Sequence, residues 1–169
     1  MTDFEKYIQR YLDLIPSDNW LQEMKNATNK TLKIYADLTE EQGNFAYAEE
    51  KWTLKMLLEH LTDTEKIFNY RALRFARKDK TELAGYDENA FARNGIANQL
   101  SVEILMEEFQ MVRLGSIVFF GKLTEEQLSQ KGYANGNEIS VETIGKLIVG
   151  HNYHHLNIIR ERYLPHFTI

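Results

Sequence analysis

The chain has 169 residues, 43% hydrophobic and 12% aromatic, enough to bury one substantial core, so a single domain over residues 1–169 is expected. Its formal net charge is −5, with Lys and Arg scattered, which leaves no basic face for a phosphate backbone and argues against a nucleic-acid partner. It contains no cysteine, which excludes disulfides, thiolate metal sites and a cysteine nucleophile; any metal must be held by nitrogen and oxygen.

The N-terminal stretch MTDFEKYIQRYLDLIP lacks a basic segment followed by an apolar core, and no run reaches about 18 consecutive apolar residues. The expectation is a cytoplasmic protein with no membrane partner. Phe4, Tyr7, Ile8, Tyr11, Leu12 and Ile15 recur at helical spacing before Pro16, which predicts a short leading helix. Trp20, Met24, Leu32, Tyr35 and Leu38 mark a first bundle helix over residues 19–38. The clearest helix covers 53–77, with Thr53 as N-cap and Leu54, Leu57, Leu58, Leu61, Ile67 and Phe68 on one face. A third bundle helix runs over 101–123 through Leu105, Phe109, Val112, Ile117 and Phe120.

Thr124 and Gln127 match a capping box, Asn135-Gly136 is a turn signal, and Ser140 is placed to cap a last helix that ends before Pro165. Four long helices and no convincing strand pattern predict an all-α four-helix bundle preceded by a short helix. Residues 78–100 form the exception: about 20 residues with poor periodicity, read as a long loop between the second and third bundle helices. Such a loop is either a solvated crossover or a lid. Tyr86, Asp87 and Asn94 are its candidates for lining a substrate pocket.

Three histidines carry the functional signal. On the last helix His151 and His155 continue the apolar ridge Val141, Ile144, Ile148, where a core aliphatic would stand. Residues i and i+4 differ by about 40° around a helix and about 6 Å along it, so both rings can meet one ion. His60 shares a face with Leu57, Asp63, Thr64 and Ile67 on the second bundle helix and is placed to face that pair. Three buried neutral imidazoles without an ion would have to satisfy one another by hydrogen bonds alone. Three nitrogens with an open fourth position suit a catalytic centre for a divalent transition metal; imidazole suits zinc, nickel, iron and copper, so the spacing does not choose the ion, and zinc or nickel is the expectation. A lone HxxxH is a weak motif, and His154 competes with His155 for the same role.

Around the histidines, Asp63 is one turn from His60 and is a candidate for orienting a ligand ring or a bound water. Glu59 points about 100° away and is assigned no catalysis. Arg71 and Arg74 either tie the long loop, bind an anionic substrate, or form surface ion pairs.

The segment Lys51-Trp-Thr-Leu-Lys-Met-Leu-Leu-Glu-His60-Leu-Thr-Asp-Thr-Glu65, the string Tyr70-Arg-Ala-Leu-Arg74, the Ala134-Asn-Gly136 turn and Gly150-His-Asn-Tyr-His-His155 with Arg160-Glu-Arg-Tyr-Leu164 closely resemble the DinB-like superfamily, which includes YfiT-type metal-dependent hydrolases. The resemblance runs from about Tyr7 to Leu164. It implies a four-helix bundle, often a homodimer, with a metal held by His60, His151 and His155. Three functions follow as expectations. In one, a metal-bound water is activated to hydrolyse a small molecule. In another, the metal activates the sulfur of a low-molecular-weight thiol for transfer to an electrophile, as in some relatives of the superfamily. The third is a non-catalytic metal-binding scaffold in a stress response. The bundle alone does not rank them.

Overall fold

The structure, a computed structural model, describes residues 2–167. Helix α1 (Asp3–Leu12) starts at Thr2, whose hydroxyl accepts from the Glu5 amide while the Glu5 carboxylate accepts from the Thr2 amide. This reciprocal cap satisfies two donors that a first helical turn otherwise leaves open. Asn19 caps α2 (Trp20–Ala36) and Thr39 caps the short α3 (Glu40–Gly43). Thr53 opens α4 (Leu54–Ala76), Asp87 opens α5 (Glu88–Asn94), and Ser101 opens α6 (Val102–Gly121). Thr124 and Gln127 form the expected box at α7 (Glu125–Ser129), and Ser140 caps α8 (Val141–Ile158). A π-helical turn over Ile159–Tyr163 carries the chain from α8 to Pro165.

The four long helices α2, α4, α6 and α8 pack so that α4 and α2 each lie against both α6 and α8, an all-α arrangement related to a four-helix bundle. Buried apolar side chains form two clusters. One joins Trp20, Met24, Phe120 and Ile148, and the other joins Tyr35, Leu57, Phe109 and Ile159. On α6 the buried stripe is Leu105, Phe109, Arg113, Ser116 and Phe120. The expected stripe through Val112 and Ile117 is thus rotated, and an arginine and a serine occupy two of its core positions.

Two further elements depart from the sequence expectation. The Asn-Gly signal closes a two-stranded antiparallel hairpin, β1 (Lys131–Ala134) and β2 (Asn137–Ser140), with Ala134 opposite Asn137. Asn135 and Gly136 have φ of 52° and 74°, the left-handed pair that a two-residue hairpin turn demands. The long segment 78–100 is not a bare loop: it contains α5 and a 3-10 turn over Ala97–Gln99.

That segment is strapped along α4. Arg74 pairs with Asp79, Arg71 Nη2 donates to the Ala84 carbonyl at 2.8 Å, and the Thr64 and Tyr86 hydroxyls lie 2.8 Å apart. Farther back, Glu59 accepts from the Ile96 amide at 3.3 Å and the Thr53 hydroxyl donates to Asn98. The Leu83 amide and carbonyl bond to Tyr133 and Asn135, fixing the strap to the hairpin. Successive turns of α4 therefore hold successive pieces of the segment along the helix that carries His60.

Helix α1 crosses α8 at Gly150, where an added Cβ would stand 2.3 Å from the Tyr11 carbonyl oxygen. Backbone, unlike a flexible side chain, has nowhere to retreat. Gly150→Ala is expected to push α1 off α8 and cost about 1–3 kcal/mol of stability, read as a lower midpoint in urea denaturation.

Candidate metal centre

His60 projects from α4 and His151 and His155 from successive turns of α8, so the packing of α4 on α8 closes the triad. His60 and His155 are buried and His151 is half-buried. Nε2 of His151 lies 3.0 Å from Nε2 of His60 and 3.0 Å from Nε2 of His155. The rings meet edge to face, with interplanar angles of 74°, 72° and 88°, so their nitrogens aim at a shared point rather than stacking. One ligand nitrogen from each ring falls within 4.8 Å of the other two.

The donor set itself tests whether an ion fits. An imidazole nitrogen carries either one proton or one in-plane lone pair. Nε2 of His151 can therefore make one good hydrogen bond, yet it has two nitrogen neighbours at 3.0 Å. A cation accepting all three lone pairs removes this conflict, and a set of three imidazoles suits a divalent transition metal. The Nδ1 atom of His155 is buried with no hydrogen-bond partner among the described residues, so its tautomer is decided by what Nε2 meets.

Electrostatics keep the lone pairs available. Burial pushes His60 down to about 4, and burial together with the neighbouring rings holds His151 and His155 well below the ordinary histidine range. All three rings are neutral at pH 7. A histidine depressed on folding contributes its full stability above the unfolded value and loses it as pH falls, because the unfolded chain then binds more protons. The metal-free protein is expected to melt at progressively lower temperature as pH drops from 6.5 towards about 4, and His60→Ala should flatten that slope.

Beside the triad lies a buried ionic network that sequence reading missed. Arg113 of α6 is 1% exposed and Glu65 of α4 is 2% exposed. Arg113 Nε donates to both Glu65 oxygens at 2.8 and 3.0 Å, and Nη1 donates to the Met24 carbonyl, Thr28 and Asn152. One guanidinium thus ties all four long helices together. Glu65 follows His60 by just over one turn and Asn152 adjoins His151, so the network sets how α4 meets α8 at the ligands.

Of the other expected site residues, only Tyr86 lies at the triad. Its ring lines a cavity of about 50 Å³ beside His151, together with Tyr7, Tyr11, Thr64 and Glu88. The other three make their contacts away from the triad. Asp63 faces the α6 side and pairs with Lys66, which also binds Glu108. The Asp87 carboxylate is spent on capping α5, where it accepts from the Asn89 and Ala90 amides. Asn94 is exposed and donates back to the Ala90 carbonyl. His154 stays outside the triad, edge-on to Tyr11 at 5.4 Å, and His166 is exposed.

The site's other walls come from residues with no motif to announce them. The Trp52 ring sits 4.7 Å from His60, and a second cavity, about 230 Å³, brings Tyr47, Trp52, Asn89 and Tyr163 to His155. Asp87 as an N-cap, with Glu88 in the first turn and Ala90 after it, is the signal that would have placed α5 here.

Known proteins are similar to this chain in sequence or in fold. A protein of Oceanobacillus iheyensis, by name a candidate metal-dependent hydrolase, is 27% identical over 143 residues, covering 83% of this chain and 82% of its own. A Bacillus licheniformis protein of the same description is 24% identical over 147 residues, covering 85% and 82%. Among solved structures, YfiT from Bacillus subtilis, described as a probable metal-dependent hydrolase with an unusual four-helix bundle topology, superposes with a TM-score of 0.77 at 21% identity. The match covers 85% of this chain and 83% of that one. Residues 23–159, most of the length and all three histidines, match the DinB superfamily, and the chain belongs to that family.

Proposed function

We propose that this protein is a metal-dependent hydrolase of a small molecule, with His60, His151 and His155 holding one divalent transition ion, zinc or nickel. The observation that carries the reading is the approach of two Nε2 atoms, those of His60 and His155, to the Nε2 of His151 at 3.0 Å each. Bound there, such an ion would supply Lewis acidity and bring the pKa of water down to about 7. The chain supplies the surroundings. Burial raises the Tyr86 pKa, so its hydroxyl keeps its proton and, paired with Thr64, can donate to a substrate oxygen beside His151. Trp52 covers His60 and keeps bulk water from that ring. The descriptions of the two curated relatives and of YfiT support the same chemistry.

Ester or amide turnover by protein purified without an affinity tag is expected to stop on chelation and return with zinc or nickel. Turnover indifferent to chelation contradicts the proposal. A second reading, in which the sulfur of a low-molecular-weight thiol bonds to an electrophile and displaces its leaving group, draws support from the two cavities with separate linings that meet the triad, one at His155 and one at His151. A thiol-dependent change in the spectrum of cobalt-substituted protein would favour it.

The reading includes a homodimer. Ile104, Met111, Leu114 and Val118 stand more than half exposed at helical spacing on α6, and a second copy is the occupant proposed for that face. Met111→Glu should convert a dimer to a monomer in sedimentation; an unchanged sedimentation coefficient contradicts it.

A further inference from the structure

Farther along α4, on the face that carries His60, lies a different chemistry. Thr64, Phe68 and Arg71 follow at helical steps, so one ridge presents an imidazole, a hydroxyl, an aromatic ring and a guanidinium in order. The axial rise from His60 to Arg71 is about 16 Å. Two cavities open along this ridge and share walls. The one beside His151, about 50 Å³, is bounded by Phe68, Tyr86 and Leu147. The next, about 190 Å³, keeps those three residues and ends against Arg71, with Ile139 and Ile144 widening its apolar floor.

Arg71 is half-buried and only partly satisfied. Its Nη2 donates to the Ala84 carbonyl and its guanidinium lies 5.9 Å from the centre of the Tyr86 ring, but it has no carboxylate partner among the described residues. Arg74, one turn on, has Asp79. A guanidinium drawn partly out of water without a counter-charge is costly, and an arriving carboxylate would match its fork of donors. Glu88 lines the same cavity, so its charge disfavours an anion at that wall and leaves Arg71 as the seat.

We propose that this cavity takes a small molecule with a carboxylate at one end and an apolar body, the carboxylate bound by Arg71 and the body lying over Phe68 and Leu147 towards the histidines. Which end reacts rests on the metal-dependent reading above. The anion seat does not.

Octanoate and its neutral analogue octanamide are suitable probes, titrated by calorimetry into the protein as purified and again after treatment with EDTA, where no metal competes for the carboxylate. Octanoate is expected to bind about ten-fold more tightly than octanamide in both, the size of one charge-assisted pair. Arg71→Gln should reduce the preference to about two-fold or less, Arg71→Lys should retain part of it because a point charge replaces the fork, and Glu88→Gln should strengthen octanoate binding. No preference in the wild type, failure of both probes to bind, or a preference intact in Arg71→Gln overturns the proposal. Should Arg71→Gln fail to fold, the Arg71 Nε–H resonance of the wild type decides. A shift with octanoate and not octanamide supports the seat, and no shift overturns it. The two readings fail separately: protein without metal sinks the hydrolase reading and leaves the octanoate preference, whereas equal binding of the probes sinks the seat and leaves the metal.

Discussion

Replacing Arg113 by alanine is expected to cost about 3–5 kcal/mol, the range seen when one partner of a buried ion pair is removed. The loss has three parts. The Glu65 carboxylate, 2% exposed, would be left without its cation, and the Met24 carbonyl, Thr28 and Asn152 would lose a donor. A void would open beside Phe109, over whose ring the guanidinium lies at 5.0 Å. Domains of this kind hold about 5–15 kcal/mol in all, so the variant would stand near the edge of folding. Removing both charges should cost less than the sum of the two single changes, because Arg113→Met with Glu65→Met leaves no orphaned ion. Urea denaturation of the four proteins of that cycle measures it. A cost under about 1 kcal/mol for Arg113→Ala would mean that water reaches Glu65 and that the network does not hold the helices.

The second large effect concerns the metal. His151→Ala is expected to abolish metal retention, because His151 Nε2 is the atom that both other rings approach at 3.0 Å. With it gone, His60 and His155 remain on different helices as a two-nitrogen pair, too few ligands for a stable transition-metal site. His60→Ala and His155→Ala should each lower retention as well, while His154→Ala, whose ring packs on Tyr11, should leave it unchanged. Elemental analysis after dialysis reads all four variants. Metal content unaffected in His151→Ala contradicts the assignment, and loss in His154→Ala would move a ligand to the neighbouring position.

The two predictions differ in how far the sequence foretells them. His151 and His155 were legible because they interrupt an apolar ridge whose other members, Ile144, Ile148 and Ile159, are buried as expected. The choice of His155 over His154 followed from the same ridge. Arg113 was illegible for the opposite reason. An arginine between Phe109 and Phe120 reads as the edge of a solvated face, and its partner Glu65 stands 48 residues away on another helix. Only tertiary packing tells a buried charge from an exposed one.

The same limit applies to the strap. Four side chains of α4 and its N-cap Thr53 hold partners in residues 79–98, yet none of the pairings leaves a local signature. Asp87 and Asn94 are pocket candidates by their place in the long segment. In the structure their side chains bond to the backbone of α5, a competition that short polar side chains often win for local amides and carbonyls. The hairpin escaped because KGYA and NEIS are short and poor in β-branched residues, although their Asn-Gly turn was visible.

The central claim is that three imidazoles from two helices meet on one ion. Anomalous diffraction from crystals of the protein grown with zinc tests it most directly. The account predicts one strong peak about 2.0–2.1 Å from Nε2 of His60, His151 and His155 together. A peak placed elsewhere, or none with the three rings still in mutual contact, would contradict it.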